Sequence, residues 1–147
     1  MVHFSYVVQS VDDEIDSVQK KGEITAKSFR RIFRDRDWSL ESSLVYALGK
    51  ASPGLAVANH NDGSTLWMST YINDGIVWYV VGVSNSAQLP PVYSFKQRKL
   101  LSDCHFETAD SRKVEALFSS YLIEDYQQLL FELFHLSQTS DRGKRSH

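Results

Sequence analysis

The residues best suited to covalent chemistry are Cys104 and His105, a thiol beside an imidazole in the chain. Neighbours in an extended segment point to opposite sides, so this pair does not form a nucleophile with its base. A working thiolate would need a distant histidine, and no pattern marks one. Cys104 is the single cysteine of the sequence and reads as an inert thiol, with no intrachain disulfide available. The five histidines, His3, His60, His105, His135 and His147, lie far apart without His-x-x-x-His spacing. His60 with Asp62 is the nearest approach to a ligand pair, and a solvated turn accounts for it as well, so no metal site is expected. The seven glycines form neither Gly-x-Gly-x-x-Gly nor a Walker pattern, so no nucleotide or other cofactor is expected. Asp12, Asp13, Glu14 and Asp16 are close in sequence but sit in a polar stretch, whereas catalytic carboxylates need a partly buried setting, so solvation accounts for them. Catalysis therefore has no motif here, and the expectation is a protein that is not an enzyme.

What remains is binding chemistry. The acidic cluster Asp12, Asp13, Glu14 and Asp16 offers a concentrated negative charge. Residues 20–36 offer the opposite sign, with Lys20, Lys21, Lys27, Arg30, Arg31, Arg34 and Arg36 against Glu23 and Asp35. A third set places Trp67 and Tyr71 on one face of a strand, with Trp78 and Tyr79 on the next. Aromatic anchors beside clustered charge are what protein interfaces favour. Asp12, Asp13, Glu14, Asp16, Trp67, Tyr71 and Trp78 are accordingly the expected partner-binding residues. The competing expectation is a nucleic-acid or small-ligand module that stacks bases on the sheet aromatics and meets phosphates with the basic helix.

The elements that must carry these residues follow from periodicity. Residues 2–9 alternate as a strand, and the segment from the acidic cluster through Lys21 and Gly22 reads as a loop. Phe29, Ile32 and Phe33 recur at helical spacing over 25–34, with arginines opposite. A second helix is expected from Ser39 as N-cap, with Leu40, Leu44, Val45 and Leu48 as its apolar stripe, ending near Gly49. Leu55 to His60, Ser64 to Ile72 and Ile76 to Val83 read as strands, joined by Asn61-Asp62-Gly63 and Asn73-Asp74-Gly75. The repeated connector suits a three-residue hairpin with left-handed glycine, and so a three-stranded antiparallel meander. Residues 84–91 read as a loop and Val92 to Phe95 as a short edge strand beside Pro90 and Pro91. From Asp110, a good N-cap, apolar spacing runs through Phe134 as one helix or two. Strand, helices, meander and C-terminal helix make an α+β two-layer domain, an antiparallel sheet with helices packed on one face, spanning 1–136. Residues 137–147 contain no apolar side chain and are expected to form a disordered polar tail.

Composition is consistent with this picture. A chain of 147 residues with 42% hydrophobic, 12% aromatic and 23% charged residues suffices for one core without staples. The net charge of −2 implies no highly charged partner. The first nine residues lack a basic leader, and no apolar run has membrane-spanning length, so the cytoplasm is the expected compartment.

Residues 38–83 carry a resemblance. Trp38-Ser-Leu-Glu-Ser-Ser-Leu-Val-Tyr-Ala-Leu-Gly is followed by Gly54-Leu-Ala-Val, Leu66-Trp67 and Asp74-Gly75-Ile-Val-Trp-Tyr-Val. A tryptophan opening a helix that ends near glycine, followed by a meander with aromatic strands, resembles immunity proteins of bacterial polymorphic and contact-dependent growth-inhibition toxin systems. The resemblance covers about a third of the chain. It implies a cytoplasmic, stoichiometric inhibitor that occludes one cognate toxin domain. Binding surfaces diverge within these families, so no toxin-contacting residue is carried over to a position here.

Overall fold

The computed structural model describes residues 4–9, 19–48, 52–84 and 105–145. Among these residues six strands form one sheet in the order β2-β1-β3-β4-β5-β6, antiparallel at every pairing. They are β1 (Phe4–Gln9), β2 (Gln19–Glu23), β3 (Gly54–Asn59), β4 (Thr65–Asn73), β5 (Ile76–Ser84) and β6 (Phe106–Thr108). The helices are α1 (Ala26–Asp35), α2 (Trp38–Leu48), α3 (Ser111–Leu122) and α4 (Tyr126–Arg145). They pack on one face of the sheet, giving the expected α+β two-layer domain.

The meander is present as expected, but its two similar connectors fold differently. Asn73 pairs with Ile76, so the second turn has Asp74 and Gly75 at its centre, both at positive φ (54° and 75°). That is the signature of a two-residue primed turn. In the first, the Asn59 N–H donates to the Ser64 carbonyl at 3.0 Å, leaving His60 to Gly63 in a longer loop. Side chains decide the difference. Asn59 Oδ1 accepts from the Asn61 N–H at 2.8 Å, and Asp62 Oδ1 accepts from the Ser64 N–H at 2.8 Å. Both are local side-chain turns that hold the wider loop open.

Three elements differ from the sequence reading. Residues 19–23 are not loop but edge strand β2, paired to β1 with a register shift between Tyr6 and Val7. Gly22, at φ 116°, supplies the backbone freedom beside that irregularity. The position beside β5 is filled by β6, while the strand expected over 92–95 lies outside the described residues. Helix α2 is capped by Asp37 rather than Ser39, since Asp37 Oδ1 accepts from the Leu40 N–H at 3.0 Å. This turns Leu40 outward, 55% exposed, and puts Trp38 and Ser42 in the interior instead.

The C-terminal segment is two helices. The backbone turns back at Glu124, which takes φ 58°, and the Asp125 carboxylate accepts from the Gln128 N–H at 3.2 Å to start α4. The backbone of α4 continues to Arg145, through the segment the sequence reading assigned to a polar tail.

The core lies between the sheet and the helices. Phe29 of α1 stacks on Phe118 of α3, with ring centroids 4.6 Å apart. Phe33 meets Trp38 at 5.7 Å and Tyr79 of β5 at 5.8 Å. From the sheet, Val8, Val57, Leu66, Met68, Val81 and Phe106 point into this layer. Thr25 and Ser28 cap α1 reciprocally, each side chain bonding the other's backbone N–H. The arginines of α1 therefore face away from the sheet, as its amphipathic spacing predicts.

Candidate protein-docking face

Strand alternation that sends Leu66, Met68, Thr70 and Tyr79 inward must send their neighbours outward. The outer sheet face thus carries Val7 from β1, Ala56 and Ala58 from β3, Trp67 and Tyr71 from β4, and Trp78 and Val80 from β5. These side chains are half-buried, and Ile76 at the hairpin end is 51% exposed. Of the four sheet aromatics singled out in the sequence, the structure brings Trp67, Tyr71 and Trp78 onto this one surface and sends Tyr79 to the core.

Their geometry is set by cross-strand pairs. Trp67 pairs with Gly82, and its indole lies so close over that residue that a Cβ there would overlap the ring. The glycine lets the Trp67 ring lie across β5. Tyr71 pairs with Trp78, and its hydroxyl donates to Glu107 Oε1 of β6 at 3.3 Å, reaching across β5. Burial raises the Tyr71 phenol pKa above its ordinary value, and the Glu107 charge and hydrogen bond add to that. The phenol stays protonated and serves as a donor.

Described charge on this face is sparse, and the strand register places Lys20 of β2 opposite Val7. Among the outer residues whose side chains are described, Glu107 and Glu23 carry charge, Glu23 through its pairing with Ser5. The exposed cations of α1, including Arg30 and Arg31, belong to the opposite layer. Three further arginines there are matched: Arg34 with Glu115 at 2.7 Å, Arg36 with Glu41 at 3.1 Å, and Arg112 with Asp110 at 3.2 Å. The basic helix and the sheet aromatics, which a nucleic-acid module would need on one surface, are on opposite sides of the sheet.

The remaining expected binding residues, Asp12, Asp13, Glu14 and Asp16, lie outside the described residues, as does Cys104. His60 and Asp62 do not converge. His60 Nε2 bonds the Ser5 hydroxyl at 2.7 Å, whereas Asp62 accepts from Ser64 Oγ at 2.6 Å and from the Tyr126 hydroxyl at 2.9 Å. Among the described residues no group of three or more His, Cys, Asp or Glu side chains is arranged to hold a metal ion. No helix there is long and apolar enough to cross a membrane.

A polar cluster joins the first hairpin to the α3–α4 turn. Asn59 Nδ2 lies 2.6 Å from the Tyr126 hydroxyl and 3.2 Å from both Asp62 Oδ2 and Glu124 Oε2. Ser64 and Tyr121 share a hydrogen bond of 2.6 Å beside it. Burial drives both phenol pKa values well up, helped at Tyr126 by the Asp62 hydrogen bond. Each group has a partner, and the cluster is structural: it ties a loop to a helix start.

Glu107 was not among the residues singled out in the sequence. It belongs to a three-residue strand, too short for periodicity to register. Gly82 was missed too. Its signal was a glycine inside an apolar strand, which often marks a close approach by another group.

Searches against family models, curated proteins and solved structures return no match for this chain. The fold defines its class, a two-layer α+β domain with a six-stranded antiparallel sheet.

Proposed function

We propose that this chain is a stoichiometric protein-binding inhibitor, a cytoplasmic immunity protein that neutralises a cognate toxin domain and performs no turnover of its own. The observation that carries the reading is the outer sheet face, where Trp67, Tyr71 and Trp78 lie together opposite the helices. Rigid aromatic side chains on a sheet supply large contact area at low entropic cost, the composition of interface anchors. The separation of the basic helix from these aromatics favours a protein partner over nucleic acid, because phosphates drawn to the helix would leave the aromatics uncovered. The acidic cluster at 12–16 remains a candidate second contact for a basic toxin.

The test is co-expression. The C-terminal region of the reading frame immediately upstream is expressed with and without this chain, and growth is scored. Relief of toxicity with one-to-one co-purification is the expected outcome, and Val80→Glu, which sets a charge in the centre of the aromatic face, should abolish both. Absence of toxicity, or toxicity this chain does not relieve, removes the reading. Relief that survives Val80→Glu moves the interface off this face.

A further inference from the structure

Glu107 stands where the aromatic surface meets the β6 edge, with Glu23 and the Lys20 position at the opposite, β2 edge of the sheet. Its partner among the described residues is the Tyr71 hydroxyl, which engages Oε1 at 3.3 Å. That bond orients the carboxylate and leaves Oε2 available to a second donor. Tyr71 and Trp78 face each other across β4 and β5, and Glu107, registered opposite Val80, is the diagonal neighbour of Trp78. Trp67 is committed to covering Gly82, which separates its role from that of Trp78. We propose that the partner seats a basic side chain, an arginine or a lysine, against Tyr71, Trp78 and Glu107, and that this contact selects the partner. The proposal rests on the docking-face reading above and adds the chemistry of what docks there.

The argument is one of complementarity. A guanidinium is flat and weakly hydrated; it stacks on an aromatic ring while its edge meets a carboxylate. Tyr71 and Trp78 with Glu107 offer both features within one cross-strand neighbourhood. An anionic group would meet the Glu107 charge, while the Lys20 position lies at the opposite edge of the sheet, on β2. An uncharged apolar group would cover the rings but leave the carboxylate desolvated without a counter-charge, which is costly. A basic side chain satisfies all three residues.

The test titrates the full chain with acetylated hexa-arginine amide and follows the indole N–H NMR signals. Trp38, buried in the helix layer, is the internal reference. The Trp78 signal should shift saturably while Trp38 holds still, and hexa-glutamate should leave both unmoved. Glu107→Gln keeps an oxygen for the Tyr71 hydroxyl and removes the charge; it should weaken binding about three- to tenfold, the range of a partly exposed ion pair with an aromatic contribution. Glu107→Lys should reverse the preference toward hexa-glutamate. Equal affinity in wild type and Glu107→Gln, or a Trp78 signal insensitive to hexa-arginine, overturns the proposal. Loss of toxin relief with Val80→Glu but full relief with Glu107→Gln would overturn it while leaving the docking face in place.

Discussion

The indole of Trp67 lies directly over Gly82, its cross-strand partner, closely enough to exclude any Cβ at position 82. One small and one very large residue are thus a single packing unit on the outer sheet face. Gly82→Ala should displace the indole and destabilise the fold by about 1–3 kcal/mol, the usual cost of overpacking. Urea unfolding measures the loss, and Trp67→Ala combined with Gly82→Ala should cost less than the sum of the two single changes. Strict additivity would mean that the two residues are not coupled.

The Ser42 and Thr70 hydroxyls, both buried, share a hydrogen bond of 2.6 Å between α2 and β4. Ser42→Ala strands the Thr70 hydroxyl and should cost about 1–3 kcal/mol. Replacing both, as Ser42→Ala with Thr70→Val, should recover most of that loss, because no polar group is then left unpaired. Thermal melts of the three variants decide it.

Tyr126 connects Asn59 and Asp62 through one hydroxyl, at 2.6 and 2.9 Å. Tyr126→Phe removes both bonds and should destabilise by about 1–3 kcal/mol. Hydrogen exchange at the His60–Gly63 loop and the first turn of α4 should rise together, since the hydroxyl ties one to the other.

The same cluster sets an alkaline limit. Burial raises the Tyr121 and Tyr126 phenol pKa values above the ordinary 10.0, so the folded chain holds their protons more tightly than the unfolded chain. Their stabilising contribution is complete below pH 10 and is lost as pH rises above it, where the unfolded state ionises first. Unfolding free energy should fall with pH above that point. Tyr126→Phe should flatten the slope, and an unchanged slope would mean that the phenol ionises alike in both states.

At the second hairpin, Gly75 takes φ 75° with no atom near a would-be Cβ, so the penalty for a side chain there is conformational alone. Gly75→Ala should cost about 1–2 kcal/mol. Asp74→Gly, at the other positive-φ site, should be nearly neutral, and chemical denaturation of the pair separates backbone from packing effects.

Local pattern determined a large part of this protein. Alternation with the two Asn-Asp-Gly connectors was enough to define the meander, and the spacing of Phe29, Ile32 and Phe33 was enough to define α1, because neither depends on distant residues. The same alternation placed Trp67 and Tyr71 on one face of one strand. Tertiary structure decided the rest. It chose which face the helices cover, and so sent Trp67, Tyr71 and Trp78 to the outside while Tyr79 went to the core. It made residues 19–23 a strand, since a polar segment acquires that conformation by pairing with β1. It turned Leu40 outward by capping α2 at Asp37, a choice that depends on where Trp38 is anchored by its bond to the Phe33 carbonyl. It brought Glu107 to Tyr71 across 36 residues of sequence. Periodicity records which side of its own element a residue occupies; which side becomes surface depends on what packs there, and that is a property of the assembled chain.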